Sequence, residues 1–259
     1  MPLLHTATGD LYYKLDGPAN APVVVLSNSL GTDHTMWASQ VPGLSTAFRV
    51  LRYDGRGHGR SVVSPGPYSV AQLGQDVLAL LDALEVKQAH FCGLSLGGLV
   101  GQWLGVNAPE RLLKLVLCNT AAKIGDATGW NQRIAQVAAE GLTELADATA
   151  TRWFTSAFWR MQPEVMARIL DVFRQTSPAG YVACCAAVRD ADFWQDIRRI
   201  PVYTQVFAGD ADPVTTEADG RFLEQHISRA HLVVLRAAHL SNVEAAAPFT
   251  AALLRFLKA

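Results

Sequence analysis

Ser95, Asp212 and His239 are the residues whose types and order could do nucleophilic chemistry. Ser95 lies in Gly93-Leu94-Ser95-Leu96-Gly97, a G-x-S-x-G pattern. The short apolar run Ala89-His90-Phe91-Cys92 precedes it and the helix-like run Gly98–Leu104 follows. That strand–turn–helix setting is the one in which a serine is held out above the strand ends, with glycines where the turn leaves no room for side chains. A serine hydroxyl is a poor nucleophile at neutral pH. It needs a base within hydrogen-bond reach and a carboxylate that orients the base. The chain order that goes with this turn is serine, acid, histidine. Gly209-Asp210-Ala211-Asp212-Pro213 follows a predicted strand and supplies the acid. Asp212 is the choice, with Asp210 expected to bond its own turn backbone. Among the histidines, His90 shares the strand before Ser95, His58 lies in a glycine-rich turn, His226 sits in a helix and His231 opens a strand. His239 lies just past the last predicted strand, where loops gather above the sheet edge.

Attack on an ester carbonyl puts negative charge on oxygen, so backbone N–H groups must face it. One is expected from Leu96, the residue after the nucleophile. The second is assigned to Leu30, in the loop Ser27-Asn28-Ser29-Leu30-Gly31 after the strand Val23–Ser27.

The elements that must position these groups are legible as alternating strands and helices. Val23–Ser27 reads as a strand buried on both faces, and Phe48–Tyr53 as the next. Between them a short helix from about Trp37 to Leu44 is expected to end near Pro42-Gly43. Val70, Leu73, Val77, Leu80, Leu81 and Leu84 line one face of a helix to about Val86, opened by Ser69 with Gln72 three residues on. Further strands are expected at Leu113–Cys118, Val202–Ala208 and His231–Leu235, and further helices at Glu217–His226 and Pro248–Lys258. This rhythm predicts an α/β fold with a mainly parallel sheet flanked by helices. Residues 121–196 break it with helical pattern only, so the chain divides into a core of 1–120 and 197–259 and an inserted helical cap of 121–196. The cap holds Trp130, Trp153, Trp159 and Trp194 of the six tryptophans in the chain; most are expected in its core, with one or two facing the cleft.

The 259 residues carry a net charge of −1, which gives no reason to expect nucleic acid or an anionic membrane as a partner. No apolar run approaches the ~20 residues a bilayer span needs. The start, Met1-Pro2-Leu3-Leu4-His5, lacks a basic segment followed by an apolar one, so no secretory leader is expected. Cys92, Cys118, Cys184 and Cys185 show no C-x-x-C or zinc-type spacing. They are expected as reduced thiols in a cytoplasmic protein. No metal or other cofactor is expected, and oligomeric state is not readable.

With these residues in place the chain resembles the α/β-hydrolase superfamily. Asp54-Gly55-Arg56-Gly57-His58-Gly59-Arg60-Ser61 is similar to the D-x-R-G-x-G-x-S turn of that fold, whose role is structural. Leu26–Asp33 with Met36-Trp37 looks like the 3-oxoadipate enol-lactonases, which carry Asn28-Ser29 where most relatives have His-Gly. Gly209–Thr215 and Ala238–Asn242 are similar as well, though less discriminating. The resemblance implies hydrolysis of 3-oxoadipate enol-lactone to 3-oxoadipate, in protocatechuate and catechol breakdown. His239 would take the Ser95 proton, an acyl-enzyme would form, and the released enol would become a ketone. A neutral His239 is required, so activity is expected to fall in acid. The implied small-molecule lactone bears a free carboxylate. The cap has seven Lys/Arg against nine Asp/Glu, so it is no cationic funnel and recognition must rest on particular side chains. Arg133 is the lead, with Trp130 and Trp153 as walls. A general carboxylesterase, a cofactor-free haloperoxidase-like perhydrolase, and a binding module without turnover remain open alternatives.

Overall fold

The computed structural model describes residues 3–6 and 9–259. The reading of the N-terminus rested partly on Met1 and Pro2, which lie outside the described residues. Among the described residues one sheet has eight strands: β1 Leu3–Thr6, β2 Gly9–Asp16, β3 Val23–Ser27, β4 Arg49–Tyr53, β5 Ala89–Leu94, β6 Leu112–Cys118, β7 Thr204–Gly209 and β8 Ala230–Leu235. Their spatial order is β1-β2-β4-β3-β5-β6-β7-β8. From β4 to β8 every neighbouring pair is parallel. All of β3 and β5 is buried, as continuous apolar runs at the centre of a two-sided sheet require. β1 and β2 pair antiparallel and join the sheet through β4. Sequence reading had no signal for them, because their residues alternate only partly between buried and exposed.

Helices α1 Val70–Ala83, α2 Leu96–Asn107, α8 Glu217–His226 and α9 Ala246–Lys258 belong to this alternating frame. Ser69 caps α1 by accepting from the Gln72 N–H at 3.1 Å. The helix stops short of Val86 because Glu85 takes φ +55°. The stretch before β4 is two pieces rather than one helix, a 3-10 turn at His34–Trp37 and a single turn at Val41–Leu44. Pro42 opens the second turn instead of ending the first, since a first-turn residue needs no N–H.

Between β6 and β7 the described chain is helical: α3 Ala127–Glu140, α4 Ala146–Trp153, α5 Ser156–Met161, α6 Pro163–Gln175 and α7 Pro178–Asp190. Pro163 and Pro178 each start a helix. α3 packs on α7, and α4 on α6. Phe173 of α6 meets Trp153 and Tyr181 edge-on at centroid distances of 5.5 and 5.6 Å. Trp130 and Trp153 are at least partly buried, whereas Trp159 and Trp194 are exposed. Those two therefore do not fill a helical core as expected. Trp159 lies on α5, whose buried residue is Phe158, and Trp194 lies in a turn after α7, with its ring against Phe222 of α8 at a centroid distance of 4.3 Å.

Candidate active site

Ser95 occupies the turn between β5 and α2 with φ +58° and ψ −113°. A non-glycine residue in that region is strained by ~1–3 kcal/mol, so neighbours must hold it there. The Ser95 N–H donates to the Cys118 carbonyl at 2.9 Å, and the Thr120 hydroxyl donates to the Ser95 carbonyl at 2.9 Å. The flanking glycines answer to space rather than to flexibility. A Cβ on Gly93 would strike the Gly97 carbonyl, and one on Gly97 would strike the carbonyl of Ser27.

Asp212 follows β7 and His239 follows β8, so adjacent parallel strands deliver them to the same sheet edge. The Asp212 Oδ2 lies 2.8 Å from His239 Nδ1. Both residues are buried. The same oxygen accepts from Asn119 Nδ2 at 3.0 Å and from the Thr215 hydroxyl at 2.8 Å. Oδ1 accepts the N–H groups of Val214 and Thr215 at 2.8 and 3.1 Å. Burial by itself would raise this carboxyl. The His239 imidazole, Asn119 and the Val214 N–H outweigh burial and hold it below the usual carboxylate range. An ionised Asp212 can only accept, so in the neutral form of the His239 imidazole the proton sits on Nδ1 and Nε2 is bare. The Asp210 side chain does not bond its own turn as expected: its Oδ1 accepts the Ala237 N–H at 3.2 Å, from the segment after β8.

The loop after β3 is pinned to the serine turn. The Asn28 carbonyl accepts the Gly97 N–H at 3.1 Å. Its side chain donates to the Tyr53 carbonyl at 2.7 Å and accepts from Trp37 Nε1 at 3.0 Å. The N–H groups of Leu30 and Leu96 have no acceptor among the described residues.

Ser95 and His239 line one cavity of about 280 Å³, together with Leu30, Trp130, Arg133 and Trp153. Leu96 borders a separate void of about 30 Å³ behind the loop. Of the residues singled out from sequence, Leu30, Ser95, Trp130, Arg133, Trp153 and His239 line the cavity, Asp212 joins it through His239, and Leu96 borders the neighbouring void.

The chain matches the alpha/beta hydrolase fold family over residues 22–246. The chain belongs to the α/β-hydrolase family. A 3-oxoadipate enol-lactonase of Acinetobacter baylyi is 46% identical over 250 residues, 94% of each chain. The crystal structure of the enol-lactonase from Burkholderia xenovorans LB400 superposes with a TM-score of 0.98 at 45% identity, covering 100% of both chains. A thermophilic esterase from Thermogutta terrifontis, solved with malate bound, gives a TM-score of 0.93 at 25% identity over 99% of this chain and 97% of that one.

In this α/β hydrolase the cavity also holds two side chains that sequence reading did not single out, Arg152 and Tyr181. Burial, and then the nearby Arg133, push the Arg152 guanidinium below its ordinary range. Tyr181 is buried against Arg133, and burial raises its hydroxyl. Neither arginine forms a salt bridge among the described residues. Asp126 reaches the cavity lining but spends Oδ1 capping α3 through the Gly129 N–H at 2.8 Å.

The D-x-R-G turn of the hydrolase is a hydrogen-bonded support. Arg56 and Asp76 form a buried pair with contacts of 2.5 and 2.8 Å. Asp33, His34 and Asp54 bring possible metal-ligand atoms within 4.8 Å of one another. Both oxygens of Asp54 and one of Asp33 are already used. Asp54 accepts from the His34 N–H and Nδ1 at 2.9 and 2.7 Å and from the Arg60 N–H at 2.9 Å. Asp33 accepts from the Thr35 N–H at 2.8 Å.

Proposed function

We propose that this hydrolase opens 3-oxoadipate enol-lactone to 3-oxoadipate in aromatic-compound breakdown, through an acyl-enzyme on Ser95. The observation that carries the reading is the shared cavity. A serine in a strained turn and a carboxylate-oriented imidazole face it, and two unpaired guanidiniums line it. The relative named for this lactone matches 94% of the chain, and the enol-lactonase structure superposes over all of it.

His239 Nε2 takes the Ser95 proton as the oxygen attacks the lactone carbonyl. The N–H groups of Leu30 and Leu96 stabilise the oxyanion. Collapse breaks the ring C–O bond. The departing enol oxygen stays tethered to the acyl chain and takes the proton from His239, and the enol then tautomerises to a ketone. His239 next deprotonates water, which attacks the acyl-Ser95 ester and releases the second carboxylate. Asp212 holds the imidazole in the tautomer both steps need.

Residues 121–196 act as a cap that closes the strand ends and excludes water. Arg133, with Trp130 and Trp153 beside it, binds the free carboxylate of the lactone, and Arg152 adds a second positive charge. The four free cysteines are buried and suit a reducing cytoplasm. No helix of the described residues is long and apolar enough to cross a membrane.

The test compares kcat/KM for the enol-lactone with that for p-nitrophenyl acetate, which has no carboxylate. Arg133→Ala and Arg152→Ala are each expected to raise KM for the lactone about tenfold, in line with loss of one charge-assisted bond, and to leave the acetate within twofold. A wild-type enzyme that prefers the acetate, or arginine variants that lose both activities equally, would count against this substrate.

A further inference from the structure

His58 is absorbed by no step above, yet it touches the loop that carries the Leu30 N–H. Ser29, Leu30, Gly31 and Thr32 form a reverse turn. The Ser29 carbonyl accepts the Thr32 N–H at 3.2 Å and the Thr32 hydroxyl at 2.8 Å. Gly31 sits third in the turn at φ +79° while Leu30 keeps a negative φ, which makes the turn type II. A type II turn differs from type I chiefly by a flip of its central peptide. Here that is the Leu30–Gly31 peptide, and it decides which way the Gly31 N–H points.

That N–H donates to His58 Nε2 at 2.9 Å. His58 is buried, and burial lowers its pKa although the Arg56 carbonyl and the Asp54 and Asp33 charges oppose the shift. Its Nδ1 lies 3.3 Å from the Arg56 carbonyl. An N–H can be accepted only by a bare ring nitrogen, so the proton resides on Nδ1 and faces that carbonyl. The imidazole therefore bridges the D-x-R-G turn and the oxyanion loop. Asn28 holds the start of the loop, but the tie next to Leu30 is weaker. The Ser29 N–H reaches only the thioether of Met36, at 3.4 Å.

We infer that His58 is a positioning residue for catalysis: by accepting the Gly31 N–H it anchors the turn that carries Leu30 to the D-x-R-G turn and so keeps the Leu30 N–H in place at the oxyanion. The inference rests on the reading of Leu30 as an oxyanion donor. It does not depend on which ester is the substrate. Gly31 itself is a poor probe, because a Cβ there would lie 2.6 Å from the Phe173 ring.

The test is the steady-state kinetics of His58→Leu and His58→Gln on both the enol-lactone and p-nitrophenyl acetate, with thermal melts alongside. Outright removal of an oxyanion donor costs about 10²–10³ in rate, so a misaimed one should cost about ten- to hundredfold. His58→Leu is expected to lose that much kcat on both esters with KM within twofold. His58→Gln, whose amide oxygen can still accept, is expected to return to within about threefold of wild type. Should the leucine variant not fold, His58→Asn takes its place, polar but too short to reach. An unchanged kcat in the loss variant, or a glutamine variant as slow as it at equal melting temperature, would overturn the inference. A wild-type enzyme inert toward the lactone but active on the acetate sinks only the substrate reading, and the His58 comparison is then read on the acetate.

Discussion

A carboxylate does more at Asp212 than supply charge. Its Oδ2 fixes which nitrogen of His239 holds the proton. In Asp212→Asn, an amide NH₂ facing Nδ1 would favour the tautomer with its proton on Nε2, where it blocks transfer from Ser95. We expect kcat to fall by about 10³–10⁴, with KM little changed and the fold intact. A loss under tenfold in a folded variant would show that Asp212 does not set the tautomer. At this scale the placement of Ser95, Asp212 and His239 at the strand ends was legible, because their spacing relative to strands follows from the turns that end them. Arg152 was not. It precedes Trp153 on a helix of eight residues, and which side of so short a helix faces the cavity depends on how it docks. Tyr181 was hidden for the same reason, in a helix with small or apolar residues on most sides.

The elements are tied to one another by a few partly buried polar residues as well as by apolar packing. Glu244, in a helical turn after His239, accepts the Ala238 N–H at 2.9 Å and the Thr155 hydroxyl and N–H from the segment joining α4 and α5. The Leu240 N–H donates to the Trp153 carbonyl at 3.1 Å, a second tie between the histidine loop and the helical segment. Glu244→Ala removes bonds to a charged acceptor, worth ~1.5–3 kcal/mol each, and frees the backbone beside His239. The expected outcome is a lower melting temperature and a kcat reduced about tenfold. An unchanged kcat at reduced stability would mean that the histidine loop holds its position without this tie. The strand–helix rhythm from β3 onward was readable from apolar runs and 3.6-residue spacing. The β1–β2 pair was not, since its register comes from pairing with β4 and not from any periodicity of its own.

For the whole molecule, stability in acid depends on groups far from the cavity. His90 is buried in the central strand β5, edge-on to Phe48 at 5.4 Å, and its Nδ1 has no partner among the described residues. Burial first, and the Lys114 charge second, push it down to about 4 from an ordinary 6.5. The unfolded chain therefore binds more protons at this site between those values, and the folded state loses stability as pH falls from 6.5 toward 4. Denaturant titrations should show His90→Leu flatter than wild type across that window by on the order of 3 kcal/mol. Parallel curves would mean that His90 titrates normally in the fold. Asp212 contributes in a more acidic window, because its lowered carboxyl releases its share of stability only as pH drops through the depressed folded value. The central claim concerns one bond, between the Ser95 oxygen and the lactone carbonyl carbon. Quenching wild-type enzyme during turnover and weighing the intact chain tests it most directly, with the lactone's ultraviolet absorbance followed in parallel. Ring opening expels no fragment, so the account predicts a mass gain of one whole lactone on the peptide bearing Ser95, and neither adduct nor absorbance loss for Ser95→Ala. A Ser95→Ala enzyme that still opens the ring at the wild-type rate would contradict it.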